Sequence, residues 1–151
     1  MNKKIIFLTL IFIIFNQCGY SSLYKNIKNQ KYNFEITSID GDREMNSIIR
    51  TTMKRFSNDN SKNKIKINVF TEFSKNDLSK NKAGEATQFL IKSRIEFQII
   101  NKDNKRIFFE EETKIKNINN KFELKEYENN IKNNFVISKI EEFVMKLSTL
   151  K

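Results

Sequence analysis

The stretch TQFLIKSRIEFQII, residues 87–100, alternates in character with hardly a break. Phe89, Ile91, Ile95, Phe97 and Ile99 fall on one parity, and Gln88, Lys92, Arg94, Glu96 and Gln98 fall on the other. Successive side chains of a strand point to opposite faces, so this segment reads as a long strand with one apolar and one polar side. Such a strand constrains the rest of the chain. Its apolar side must be covered by another layer, and its polar side must meet water or a polar partner.

The neighbouring segments supply both sheet and cover. YNFEITSI, residues 32–39, alternates with Phe34, Ile36 and Ser38 on one side, and reads as a first strand. In the following DGDREMNSIIRTTMKRFSND, Met45, Ile48, Ile49, Thr52, Met53 and Phe56 recur at helical spacing and make one apolar stripe. Asp42 stands where an N-cap belongs. Glu44 suits the positive start of a helix, and Arg50, Lys54 and Arg55 suit its negative end. The IDGD at this junction also begins like a calcium loop, but the remaining oxygen ligands and the closing Glu are missing, so a capped strand-to-helix turn is the better reading.

KIKINVFTEF, residues 64–73, alternates again and gives a second strand, followed by a polar connection over residues 74–86. After the long strand and a turn at NKDNK, residues 106–116 form a fourth strand hairpinned to it. From Tyr127 to the end, Val136, Ile140, Phe143, Val144, Leu147 and Leu150 mark the stripe of a second helix, with Ile137 alongside. The order is β-α-β-β-β-α. One-sided strands and one-sided helices combine most simply as an α+β two-layer sandwich: a four-stranded, mostly antiparallel sheet with both helices on one face. The opposite face is expected to be polar, with Lys92 and Arg94 on its long strand.

The amino-terminal end carries a different signal. Lys3 and Lys4 precede an apolar run, Ile5–Phe15, interrupted only by Thr9. The run is shorter than the about 20 residues a membrane-spanning helix needs, and it matches the apolar part of an export signal. The only cysteine, Cys18, follows at the point where the sequence turns polar. A lipoprotein signal ends at such a cysteine, whose thiol is lipidated and whose freed amine is acylated. Gln17 and Phe15 replace the small residue and the leucine usual before it. An uncleaved signal anchor and a secreted domain with a stray thiol stay open beside lipidation. The expected organisation is a signal peptide at 1–17, a lipid-anchored tether at 18–31 and a domain at 32–151. Several chains on one residue give stable anchoring to a membrane, which one chain alone does not.

Composition limits the chemistry. The chain has no His, so the usual general base and the commonest metal ligand are missing. Its three glycines form no phosphate-binding loop. Glu110, Glu111 and Glu112 are the nearest thing to an acid–base pair, and a solvated or lysine-paired run explains them better. We expect no catalytic residues, no metal and no cofactor, and a protein that works by binding. The net charge of +10 points to an anionic partner, although codon bias toward lysine accounts for the same excess. Export argues against nucleic acid. The aromatics Phe89 and Phe97 sit on the apolar parity, which suits a core better than a base-stacking platform.

Three features together resemble a known family. They are CGY at Cys18–Tyr20 with its aromatic-bearing tether, the loop-to-strand segment KAGEATQF with Gly84, Ala86, Thr87 and Phe89, and Tyr127 and Asn129 leading into the last helix. With the element order, they resemble LptE, the lipopolysaccharide-assembly lipoprotein of the rare-lipoprotein-B family. The likeness implies a lipoprotein on the periplasmic face of the outer membrane that plugs and helps assemble the LptD β-barrel and passes lipopolysaccharide outward. It implies lipidation at Cys18 and lipopolysaccharide binding by basic residues near the glycine, here Lys80 and Lys82. The polar side of the long strand, Lys92, Arg94, Glu96 and Gln98, is then the expected barrel interface. Gly19 is not the Asp that retains lipoproteins at the inner membrane. An envelope scaffold or chaperone that never touches lipopolysaccharide has the same layout.

Overall fold

The computed structural model describes residues 31–100 and 104–149. The apolar run, Cys18, nearly all of the tether and Leu150 lie outside the described residues. The elements are β1 (Asn33–Gly41), α1 (Arg43–Phe56), β2 (Lys64–Lys80), β3 (Ala86–Ile99), β4 (Arg106–Lys116) and α2 (Lys121–Thr149). The strands lie in the order β1-β2-β3-β4 in one sheet. β1 and β2 run parallel, as a strand–helix–strand connection demands, and the other two pairings are antiparallel. The expected α+β two-layer architecture, with both helices against one face of a four-stranded sheet, is the observed one.

The core forms where the stripes meet. Met45, Ile49 and Met53 of α1 and Val136, Ile140, Phe143 and Leu147 of α2 pack on Ile67, Val69, Ile95, Phe97 and Phe109 of the sheet. Phe97 stacks on Phe143 with ring centroids 4.3 Å apart, and Phe109 meets Phe97 edge-on at 6.1 Å. A smaller apolar cluster, Ile91, Ile115 and Leu124, lies toward the β2–β3 turn.

The α1 start is as the sequence reads. The Asp42 carboxylate accepts the Met45 N–H at 2.9 Å, satisfying one of the donors a helix leaves unpaired. Four features differ from expectation. First, β1 bulges between Ile36 and Ser38, so Ile39 rather than Ser38 turns toward the helices.

Second, β2 does not stop at Phe73 but continues to Lys80, pairing with β3 through most of the polar stretch. Only Asn81–Glu85 makes the turn. The Asn81 side-chain oxygen accepts the N–H groups of Ala83 and Glu85, each at 2.9 Å. Ser, Asn and Asp have low strand propensity, but the backbone ladder to β3 overrides it.

Third, α2 begins at Lys121, two turns before Tyr127. Asn120 caps it by accepting from the Phe122 N–H at 3.0 Å, while its amide donates to Glu123 at 2.9 Å. This reciprocal Asn-x-x-Glu arrangement was legible in the sequence.

Fourth, the α2 stripe is not wholly apolar. Leu124 and Phe135 belong to it, but so do the buried Glu128 and Lys132.

Candidate functional site: the open sheet face and the hairpin end

The face of the sheet turned away from the helices is uncovered among the described residues. The register sets its side chains in rows across the strands. One row is Ser74–Lys92–Glu112, the next Glu72–Arg94–Glu110, and the next Asp40–Phe70–Glu96–Phe108. Lys92, Arg94, Glu96 and Gln98 all stand on this face, as the alternation of β3 requires.

Some of these charges are matched across strands. Lys92 donates to Glu112 at 2.6 Å, and that hydrogen bond, with the charge of the same carboxylate, holds the ammonium above its ordinary range. Glu96 takes Arg94 at 3.3 Å from its own strand and Arg106 at 3.6 Å from β4. Opposite charges on facing strands stabilise a sheet modestly and fix its register. Arg94 Nε and Asn68 Oδ1 are enclosed yet make no hydrogen bond among the described residues, so this face keeps unspent polar capacity.

The face is less uniformly polar than expected. Phe70 and Phe108 flank Glu96 in one row and remain 44% and 65% exposed. The signal was present in Val69-Phe70 and Phe108-Phe109: of two consecutive apolar residues in a strand, one must face outward. The Arg94 guanidinium lies 6.0 Å from the Phe108 ring.

The lysines expected on a loop are divided by the longer β2. Lys75 is on that strand, turned to the helix side. It donates to the buried Glu128 at 2.6 Å and lies 4.9 Å from the Phe89 ring, so it is committed to the fold. Lys80 ends the strand, paired with Asp77 at 3.1 Å. Lys82 sits in the five-residue turn, exposed and without an ion-pair partner among the described residues. Between this hairpin end and the start of α2 lies an open cleft of about 910 Å³, with Phe89, Ile118 and Leu124 on its apolar side and Lys121 and Lys125 among its basic residues.

The acidic run divides between faces. Glu110 and Glu112 share the open face. Glu111 points the other way and lies 3.8 Å from Lys139 of α2. One carboxylate of the run is thus lysine-paired on each side of the strand, Glu112 with Lys92 and Glu111 with Lys139.

No protein-family model and no curated protein sequence matches the chain. Solved structures do. The minor lipoprotein of Acinetobacter baumannii superposes with a TM-score of 0.51 at 10% identity, over 78% of this chain and 94% of that one. Rare lipoprotein B of Shewanella oneidensis superposes with a TM-score of 0.52 at 9% identity, over 77% of this chain and 98% of that one. At such identities the likeness speaks for the fold. Nearly the whole of each neighbour is matched. The described domain has the fold of the rare-lipoprotein-B type of lipoprotein.

Proposed function

We propose that this chain is an envelope lipoprotein of the LptE type. It is lipid-anchored through Cys18 at the periplasmic face of the outer membrane and seats its domain in the lumen of an LptD-like β-barrel, where it assists barrel assembly and lipopolysaccharide transfer. It works by binding rather than by catalysis. The observation that carries this reading is the open sheet face on a rare-lipoprotein-B fold: an uncovered, charge-bearing surface on an otherwise packed sandwich. Barrel interiors are polar, so the surface that meets them is best built from hydrogen-bonding groups on a rigid sheet.

Affinity purification from solubilised outer membrane tests the reading directly. The full chain is expected to retain a large outer-membrane barrel. Lys92→Glu combined with Arg94→Glu is expected to weaken that association about tenfold, the effect of about 1.4 kcal/mol. Both side chains lie on the open face, so the fold is expected to persist, with a stability lowered by about 1 kcal/mol because the new carboxylates face Glu112, Glu72 and Glu110. Recovery of no barrel by the unaltered chain would leave an envelope scaffold as the function and remove the plug.

The hairpin end carries the lipopolysaccharide part of the proposal. Lysine acts as a hydrated point charge toward phosphate, so binding there is expected to be modest and salt-sensitive. Lys80→Ala with Lys82→Ala is expected to reduce binding to lipopolysaccharide micelles about threefold to tenfold at low salt, while barrel retention persists. Lys82 should carry more of the loss, because Lys80 already has Asp77. Binding that ignores both the substitutions and salt would remove the electrostatic mechanism.

A further inference from the structure

β4 is an edge strand. Its outer backbone N–H and C=O groups have no strand partner among the described residues, and an edge of this length is a template for another strand. Its charge pattern decides what can pair with it. Consider a second copy of β4 laid antiparallel across a two-fold axis. If the axis passes through Glu111, the strands overlap fully, but Arg106 faces Lys116, Glu110 faces Glu112 and Glu111 faces itself. Every charge–charge pair is like-signed, and like charges directly opposite destabilise a ladder.

A two-residue shift reverses this. With the axis at Thr113, Glu110 faces Lys116, Glu112 faces Lys114, Glu111 faces Ile115 and Thr113 faces itself. Every charge–charge pair is now unlike, and each occurs twice by symmetry. An axis at Glu110 sets Arg106 against Lys114, one at Glu112 sets that residue against itself, and one at Phe109 offers only Arg106 with Glu112. The charges that the Thr113 register uses are largely unspent. Glu110, Lys114 and Lys116 have no ion-pair partner among the described residues, and Glu112 keeps one carboxylate oxygen beyond the one that takes Lys92. All four stand on the open face, so the cross-copy pairs form there without displacing a helix contact.

We propose that, in the chain not seated in a barrel, β4 pairs antiparallel with β4 of a second copy about a two-fold axis at Thr113, joining the two sheets into one. The occupant is a second copy because in this register the strand is complementary to itself. The shifted overlap is short and its pairs are exposed, so the dimer is weak and salt-sensitive.

Two arms test this, both on the full chain in detergent. In the first, Cys18→Ser removes the only native thiol, and Thr113→Cys or Glu111→Cys supplies one. Opposite Cα atoms of an antiparallel pair are about 4.5–5.5 Å apart, inside the range a disulfide spans. Oxidation with diamide, which takes up the two electrons and two protons, is expected to link Thr113→Cys chains into dimers at least about ten times faster than Glu111→Cys chains. Faster linkage at Glu111, or none at either position, overturns the proposal.

In the second arm, Glu110→Lys with Glu112→Lys makes one variant, and Lys114→Glu with Lys116→Glu makes the other. Each alone is expected to raise the dimer dissociation constant at least about tenfold by sedimentation equilibrium, and an equal mixture is expected to restore a mixed dimer. Two folded variants that fail to pair with each other overturn it equally. If a charge variant does not fold, the cysteine arm decides.

Discussion

Gly41→Ala is expected to be the most damaging single substitution in the domain, costing on the order of 4 kcal/mol or more and preventing folding at physiological temperature. Gly41 ends β1 with φ at +101°, a conformation that residues with a Cβ rarely adopt. A Cβ there would stand 1.7 Å from the Thr71 carbonyl oxygen, a backbone atom fixed in the β1–β2 ladder. Nothing flexible can give way. Thr71 also anchors the turn itself. Its carbonyl accepts the Asp42 N–H at 3.2 Å, and its hydroxyl donates to Asn46 at 2.8 Å. Moving Thr71 to make room therefore disturbs the start of α1 as well.

Gly84 provides a matched control. Its φ is also positive, at +84°, but a Cβ there meets nothing within 4 Å. Gly84→Ala should cost only the backbone strain, about 1 kcal/mol. Urea unfolding of the two variants separates clash from strain, and equal midpoints would contradict the account.

Lys132→Ala is expected to cost about 2–3 kcal/mol and to lower the melting temperature by roughly 10 °C. Lys132 is buried, and its ammonium donates to Asp42 at 2.8 Å and to Glu44 at 2.6 Å while lying 4.1 Å from the Phe73 ring. Lys125, two turns earlier on α2, reaches the same Glu44 at 3.0 Å. The two lysines clamp α2 onto the acidic first turn of α1. Breaking a fully buried pair costs about 3–5 kcal/mol. The figure is lower here because Glu44 is 43% exposed and can turn to water.

The network also sets a pH window. Burial pushes the Lys132 ammonium down, but the hydrogen bonds and charges of Asp42 and Glu44 outweigh it, so the net shift is upward. Its stabilisation is therefore complete below the ordinary value of 10.5 and is lost as pH rises through the raised value. Glu44 is held low by hydrogen bonds from Lys132 and then Lys125, so its share is complete above the ordinary value of 4.5 and is lost as pH falls through the lowered one. The melting-temperature gap between the unaltered chain and Lys132→Met should be constant from about pH 5 to 10 and close above that. A gap that widens at alkaline pH would contradict the sign.

The candidate surfaces were legible in the sequence to different degrees. The positions of Lys92, Arg94, Glu96 and Gln98 on one face follow from parity alone, because a strand has no other way to place alternate side chains. The lysines near the glycine were not separable in the same way. Lys75, Lys80 and Lys82 look alike in a polar stretch, yet one is bound to Glu128, one to Asp77, and one lies in the turn without an ion-pair partner among the described residues. Which lysine meets Glu128 depends on a helix more than forty residues further along the chain.

By itself the sequence determined the element order, the one-sidedness of each strand, the α1 cap at Asp42 and the two-layer architecture. These follow from local rules: side-chain period, capping chemistry and the need to bury apolar stripes. The start of α2 was also written locally, in the Asn120–Glu123 cap. Only the tertiary structure decided the length of β2, the bulge that turns Ile39 inward and the burial of Glu128 and Lys132. The length of β2 and the buried charges share a reason. Backbone hydrogen bonds supplied by a neighbouring strand hold Asn, Ser and Asp in an extended conformation against their own preference, and a carboxylate or ammonium can enter a core only when its counter-charge arrives from a distant segment. Such partners are fixed by three-dimensional proximity, and no window along the chain contains both.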